Sequence, residues 1–162
     1  MNSVRIDPHA ALNSPLITIK NEPTGNGTYL LLIEISSNVG LRVGKLGNQV
    51  LEAGYYLYVG SALNGLRSRI SRHLQVDKKL HWHIDYLTKT GNIIGVFWTI
   101  GITKVECQWA QLIMSTRISM TAIRGFGSSD CRCTTHLYFF PDLLDVKHML
   151  DEISPEHSVM SK

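Results

Sequence analysis

Hydrophobic and polar positions fall into stretches with two different periods. Residues 28–36 are nearly all apolar from Tyr29 to Ile33 and read as a central strand. Residues 55–59 form a second core strand, with Tyr56, Tyr58 and Gly60 on one face and Tyr55, Leu57 and Val59 on the other. Gly60-Ser61 is expected to end that strand, and Asn64-Gly65 to turn the chain into a helix. On the helix, Leu66, Ile70 and Leu74 recur four apart as the buried stripe, and Arg69 and His73 lie one above the other at its edge. A second helix is expected from residue 77 to about residue 89, with Leu80, Ile84 and Leu87 inward and Gly91 as its C′ glycine. Residues 93–100 read as a third core strand. Residues 103–117 read as a helix burying Val105, Trp109, Leu112 and Ile113.

Smaller elements complete the pattern. Residues 41–43 and 49–52 predict a hairpin around residues 44–48. Short strands are expected at 121–123 and 137–140, and an amphipathic helix at 143–153 with a frayed end after it. Residues 16–20 read as a short edge strand in an unpatterned arm. The sum is an α+β fold: a central, mainly antiparallel three-stranded sheet flanked by helices, with an inserted hairpin. The expected divisions are an N-terminal arm (1–24), a domain (25–141) and a C-terminal helical extension (142–162).

Composition narrows the class. A chain of 162 residues, 44% hydrophobic and 18% charged, can bury a core as one domain. The net charge of +3 alone points to no partner, but Arg67, Arg69, Arg72, Lys78 and Lys79 face only Asp77 within residues 66–79. Two readings stand: a solvated helix face, or a surface for phosphates. Three cysteines without a secretory signal fit a reducing cytoplasm. No apolar run reaches the roughly 18–20 residues that span a bilayer, so no membrane partner is expected.

Cys131-x-Cys133-x-x-His136 offers donor types that suit zinc, and a tetrahedral set needs a fourth ligand, which His81 or His83 could supply. The competing reading is a small apolar cysteine pair beside a strand, with Cys107 a buried helix residue. Gly127, Ser128, Ser129 and Asp130 form a candidate phosphate-cradling turn.

Tyr58-Val59-Gly60, followed by Arg69-x-x-x-His73, resembles the second half of the GIY-YIG nuclease core. Gly27-Thr28-Tyr29 resembles the first half, with Thr at the usual Ile. Residues 53–62, 79–87 and 125–133 are similar to one branch of that superfamily, a domain of unknown function found alone or joined to endonuclease III. The resemblance covers residues 25–141. It implies a DNA endonuclease dependent on Mg²⁺ or Mn²⁺, or else a non-catalytic module working with a DNA glycosylase or an endonuclease III-like protein. Tyr29 would position or deprotonate the attacking water and Tyr58 orient it. Arg69, with Arg67 as fallback, would hold phosphate. His73 would assist the leaving group or bind phosphate. Glu106 would bind the metal, with Asp130 as a second carboxylate. Arg67, Arg72, Lys78 and Lys79 would contact DNA.

Each role has a competitor. The tyrosines could simply pack in strands, and His73 could be structural. Glu106 could close a capping box, Thr103-Lys104-Val105-Glu106, on its own helix. A phenol of pKa near 10 is a poor base at neutral pH and needs a nearby cation or metal. Two other functions fit the same chain: a nucleic-acid-binding module without catalysis, and a zinc-stabilised interaction domain.

Overall fold

The computed structural model describes residues 23–160, so the expected strand at 16–20 lies outside the described residues. Strand β1 (Gly27–Ile35) runs through the middle of the sheet. It pairs antiparallel with β4 (Gly54–Ala62) on one side and β5 (Asn92–Ile100) on the other. Its apolar run follows from this position, because both of its faces are covered. Strand β7 (Leu137–Phe140) extends the sheet beyond β4, and β6 (Thr121–Ala122) pairs with β7. Strand β8 (His157–Met160) pairs with β5, in place of the expected frayed end. The three expected core strands are thus the centre of a six-stranded sheet, β6-β7-β4-β1-β5-β8. Strands β2 (Val39–Val43) and β3 (Gly47–Leu51) make the expected hairpin through a 3₁₀ turn at Gly44–Leu46.

The sheet separates two apolar layers. Tyr29, Leu31, Ile33 and Tyr56 pack with helices α1 (Leu66–Leu74) and α2 (His83–Thr90) and with the hairpin. Leu30, Leu32, Leu57 and Val59 pack with helices α3 (Glu106–Ser115) and α4 (Leu143–Ile153). Fully burying one such aliphatic side chain contributes about 1.5–3 kcal/mol. Among the described residues no helix is long and apolar enough to cross a membrane.

Three expectations about helices change for local reasons. Helix α2 starts at His83, not at residue 77. The Asp85 carboxylate accepts the His81 and Trp82 amides, which holds the preceding chain extended as a cap. Leu80 therefore lies outside the helix. Gly91 ends α2 with φ −106°, not in a left-handed C′ conformation. It is needed for space, since a Cβ there would lie 2.6 Å from Ile35 Cδ1 and 2.8 Å from the Glu34 carbonyl oxygen. Helix α3 begins at Glu106, after Val105, and no capping box forms from Thr103. Its inward residues are Glu106, Trp109, Ala110 and Ile113, and Leu112 points outward at 36% exposure.

Candidate functional site

At one end of the sheet β1 and β7 begin and β4 and β5 finish. A cavity of about 320 Å³ opens there. Tyr29, Tyr58, Arg69, His73 and Glu106 all line it, together with His81, His83, Asp130 and His136.

Strand register places the phenols. Tyr29 lies opposite Gly60, and Leu31 opposite Tyr58, so the tyrosines are diagonal neighbours on one face. Their ring centroids are 6.3 Å apart, with the planes inclined at 53°. Gly60 makes room for this arrangement: a Cβ there would stand 2.5 Å from both Cζ and Oη of Tyr29.

Tyr29 Oη lies 2.7 Å from Nε2 of His73. Burial, and then the neighbouring Tyr58, raise the Tyr29 phenol well above its ordinary pKa, so it keeps its proton and donates to Nε2. Burial first, then Lys78, lowers His73 to about 3, leaving the imidazole neutral. Its Nδ1 has no hydrogen-bond partner among the described residues. His73 is only 2% exposed, and the nitrogen facing Tyr29 is taken. His73, expected to assist a leaving group, bind phosphate or be structural, makes an internal contact that orients a phenol.

A pH dependence follows. An unfolded histidine titrates near pH 6.5. Between there and about pH 3 the unfolded chain binds a proton that folded His73 refuses. Stability should therefore fall with acidification, on the order of 1 kcal/mol per pH unit from this group. Urea unfolding at pH 7, 5.5 and 4.5 measures the slope. His73→Gln should flatten it, and an unchanged slope in that variant would refute the assignment.

Arg69 Cζ lies 4.2 Å from the centroid of the Trp82 ring, and Arg72 Cζ lies 4.1 Å from it. Arg69 reaches the cavity, whereas the fallback Arg67 is not among its lining residues. Arg72 is engaged elsewhere: its two terminal nitrogens donate to Asp85 at 2.7 and 2.9 Å, and one also to the Lys79 carbonyl at 3.0 Å. Burial opposes ionisation of Asp85, but the bonds from Arg72, Trp82 and His81 prevail and hold its carboxyl down at about 2. Lys78 Nζ donates to the carbonyls of His73 (2.5 Å) and Arg72 (3.3 Å), closing the C-terminus of α1. Arg72 and Lys78, expected on DNA, join α1 to the segment leading into α2. Arg67 and Lys79 are exposed.

Glu106 is 4% exposed, and its carboxylate pairs with Lys104 Nζ at 2.6 Å. Lys104 also lies 3.7 Å from Asp130. The amide of Val105 donates to Thr28 Oγ1 at 3.3 Å, tying the entrance of α3 to β1 one residue from Tyr29. Burial and then Glu106 raise the Tyr58 phenol, so both phenols stay protonated at neutral pH.

A second cluster adjoins the cavity. Cys107, Cys131, Cys133 and His136 offer donor atoms that all lie within 4.8 Å of one another, a set able to bind a metal ion such as zinc. Cys131 Sγ and His136 Nε2 are 3.4 Å apart. Neither His81 nor His83 is in the set. His83 Nδ1 accepts the Gly127 amide at 3.2 Å, so that amide is already engaged. His81 is exposed and packs edge-on to Trp82. Cys107 supplies the fourth donor from α3; sequence reasoning missed it because no spacing motif links it to the other three.

Fold and site thus define an α+β protein built on an antiparallel sheet, with a Cys₃His cluster beside a polar cavity. The family model described as "Domain of unknown function DUF123" matches residues 28–159, and the chain belongs to that family. No curated protein and no solved structure matches it.

Proposed function

We propose that this chain is a divalent-metal-dependent endonuclease of the GIY-YIG kind, hydrolysing phosphodiester bonds in DNA. The supporting observation is convergence. Two phenols, a guanidinium and a buried carboxylate from β1, β4, α1 and α3 line one cavity.

The chemistry assigns each a task. Tyr29 keeps its proton and donates a hydrogen bond to His73 Nε2, so the phenolic oxygen keeps lone pairs for aligning an attacking water. Raised phenol pKa values make Tyr29 and Tyr58 orienting groups instead of bases. Arg69 offers a planar guanidinium fork to the phosphoryl oxygens. Glu106, a hard oxygen donor facing the cavity, suits Mg²⁺ or Mn²⁺, with Asp130 beyond Lys104 as a second carboxylate. When bound, such an ion supplies charge at the phosphoryl oxygens and lowers the pKa of water. Lys104 occupies the Glu106 carboxylate and would have to yield it. A metal at the Cys₃His cluster, read as zinc, would be separate and have a different task.

The test is nicking of supercoiled plasmid and branched DNA with Mg²⁺ or Mn²⁺, by the native chain and by Glu106→Gln. The native chain should cut, and the variant should cut roughly a hundredfold more slowly or worse, a loss of about 3 kcal/mol or more. Equal cutting by both would point to a contaminant or to another site. The Lys104–Glu106 pair favours a second reading, a DNA-binding module acting beside a DNA glycosylase or an endonuclease III-like protein. DNA binding without any cleavage would select it.

A further inference from the structure

We propose that Cys107, Cys131, Cys133 and His136 form a closed structural zinc site that fixes the wall of the cavity bearing Glu106 and Asp130. The donors come from two segments distant in sequence, the first turn of α3 and the loop between β6 and β7. Three thiols and an imidazole are a zinc set by chemistry.

Distances agree. With Zn–S about 2.3 Å and Zn–N about 2.0–2.1 Å, tetrahedral ligand atoms stand about 3.5–3.8 Å apart. Cys131 Sγ and His136 Nε2 are already 3.4 Å apart, and the rest of the set spans no more than 4.8 Å. A small closure of the three half-buried cysteines around buried His136 completes the tetrahedron. None of the three cysteines is in a disulfide. On binding, the three thiols release their protons and the imidazole stays neutral. Four protein ligands leave no open position, so the ion holds structure and does not activate water.

Its neighbours say what it holds. Cys107 directly follows Glu106, and Cys131 directly follows Asp130. Lys104 pairs with both carboxylates across the same junction, but it is itself 38% exposed. His136 is anchored deeper: its amide donates to Phe126 O at 2.8 Å, and its carbonyl accepts from the Val59 amide at 2.9 Å. An ion here joins α3, the 125–136 loop and the start of β7, and so sets where the two carboxylates stand. This holds whether or not the cavity cuts DNA.

The full chain, purified without added metal, should carry one zinc per molecule by elemental analysis. Stripped of zinc by a chelator and refilled with Co²⁺, it should show thiolate-to-cobalt absorption and the visible bands of a tetrahedral site. Cys107→Ser should weaken zinc binding roughly a hundredfold or more, since it removes one of four ligands. Protein that takes up neither zinc nor Co²⁺ overturns the site, and the native chain decides this even if the variant fails to fold. Hydrogen exchange tests the role. Stripping should speed amide exchange about tenfold or more at the start of α3 and across 125–136, while α1 stays protected. Unchanged exchange in those segments, or an equal rise in α1, overturns the structural role.

Discussion

Asp85→Ala should destabilise the fold by about 2–4 kcal/mol, because it removes the acceptor shared by part-buried Arg72 and two backbone amides. The Asp85 side chain is fully buried and accepts from Arg72, His81 and Trp82. Its loss leaves two amides without their acceptor, leaves Arg72 only the Lys79 carbonyl and removes the cap of α2. Urea unfolding at neutral pH measures the cost. A second change, Arg72→Ala, should add far less in the Asp85→Ala background than alone, since the two share one interaction. A drop under about 1 kcal/mol for Asp85→Ala would mean that solvent replaces the carboxylate, and the pair would not be the clamp between α1 and α2.

Arg69→Ala should slow DNA cleavage by roughly 10²–10³-fold, the usual scale for losing a donor aimed at developing charge. Folding should survive, because the alanine variant gives up only the stacking on Trp82, worth about 0.5–2 kcal/mol. Arg69→Lys should recover only part of the rate, since an ammonium lacks the bidentate fork. Arg67→Ala should alter DNA binding mainly through its salt dependence. If Arg67→Ala abolished cleavage and Arg69→Ala did not, the cavity would have been assigned to the wrong arginine.

Much of the fold is legible in the sequence because burial imposes periods. The stripe of Leu66 and Ile70 marks α1, and the apolar run at residues 29–33 marks the central strand. Tyr29, Tyr58, Arg69 and Glu106 follow from motif order, and all reach the cavity. What stays hidden depends on partners remote in the chain. His157–Met160 has no apolar alternation, and it is a strand because β5 offers an open edge. Arg72 and Lys78 look like any surface cations until Asp85 and the end of α1 are in place. Glu106 has the spacing of a capping box, but the chain turns into α3 later, and the Val105 amide is held by Thr28. Cys107 joins the other cysteines only through the packing of α3 against the sheet.

The indole of Trp82 serves two masters. The arginine that locks α1 to the start of α2 and the arginine proposed to meet phosphate share its ring. If a phosphate drew Arg69 outward, as the proposed function requires, the guanidinium would leave that aromatic surface to Arg72, which already lies 4.1 Å from it. Through that shared ring, a ligand in the cavity would be felt by the ion pair that joins α1 to the start of α2.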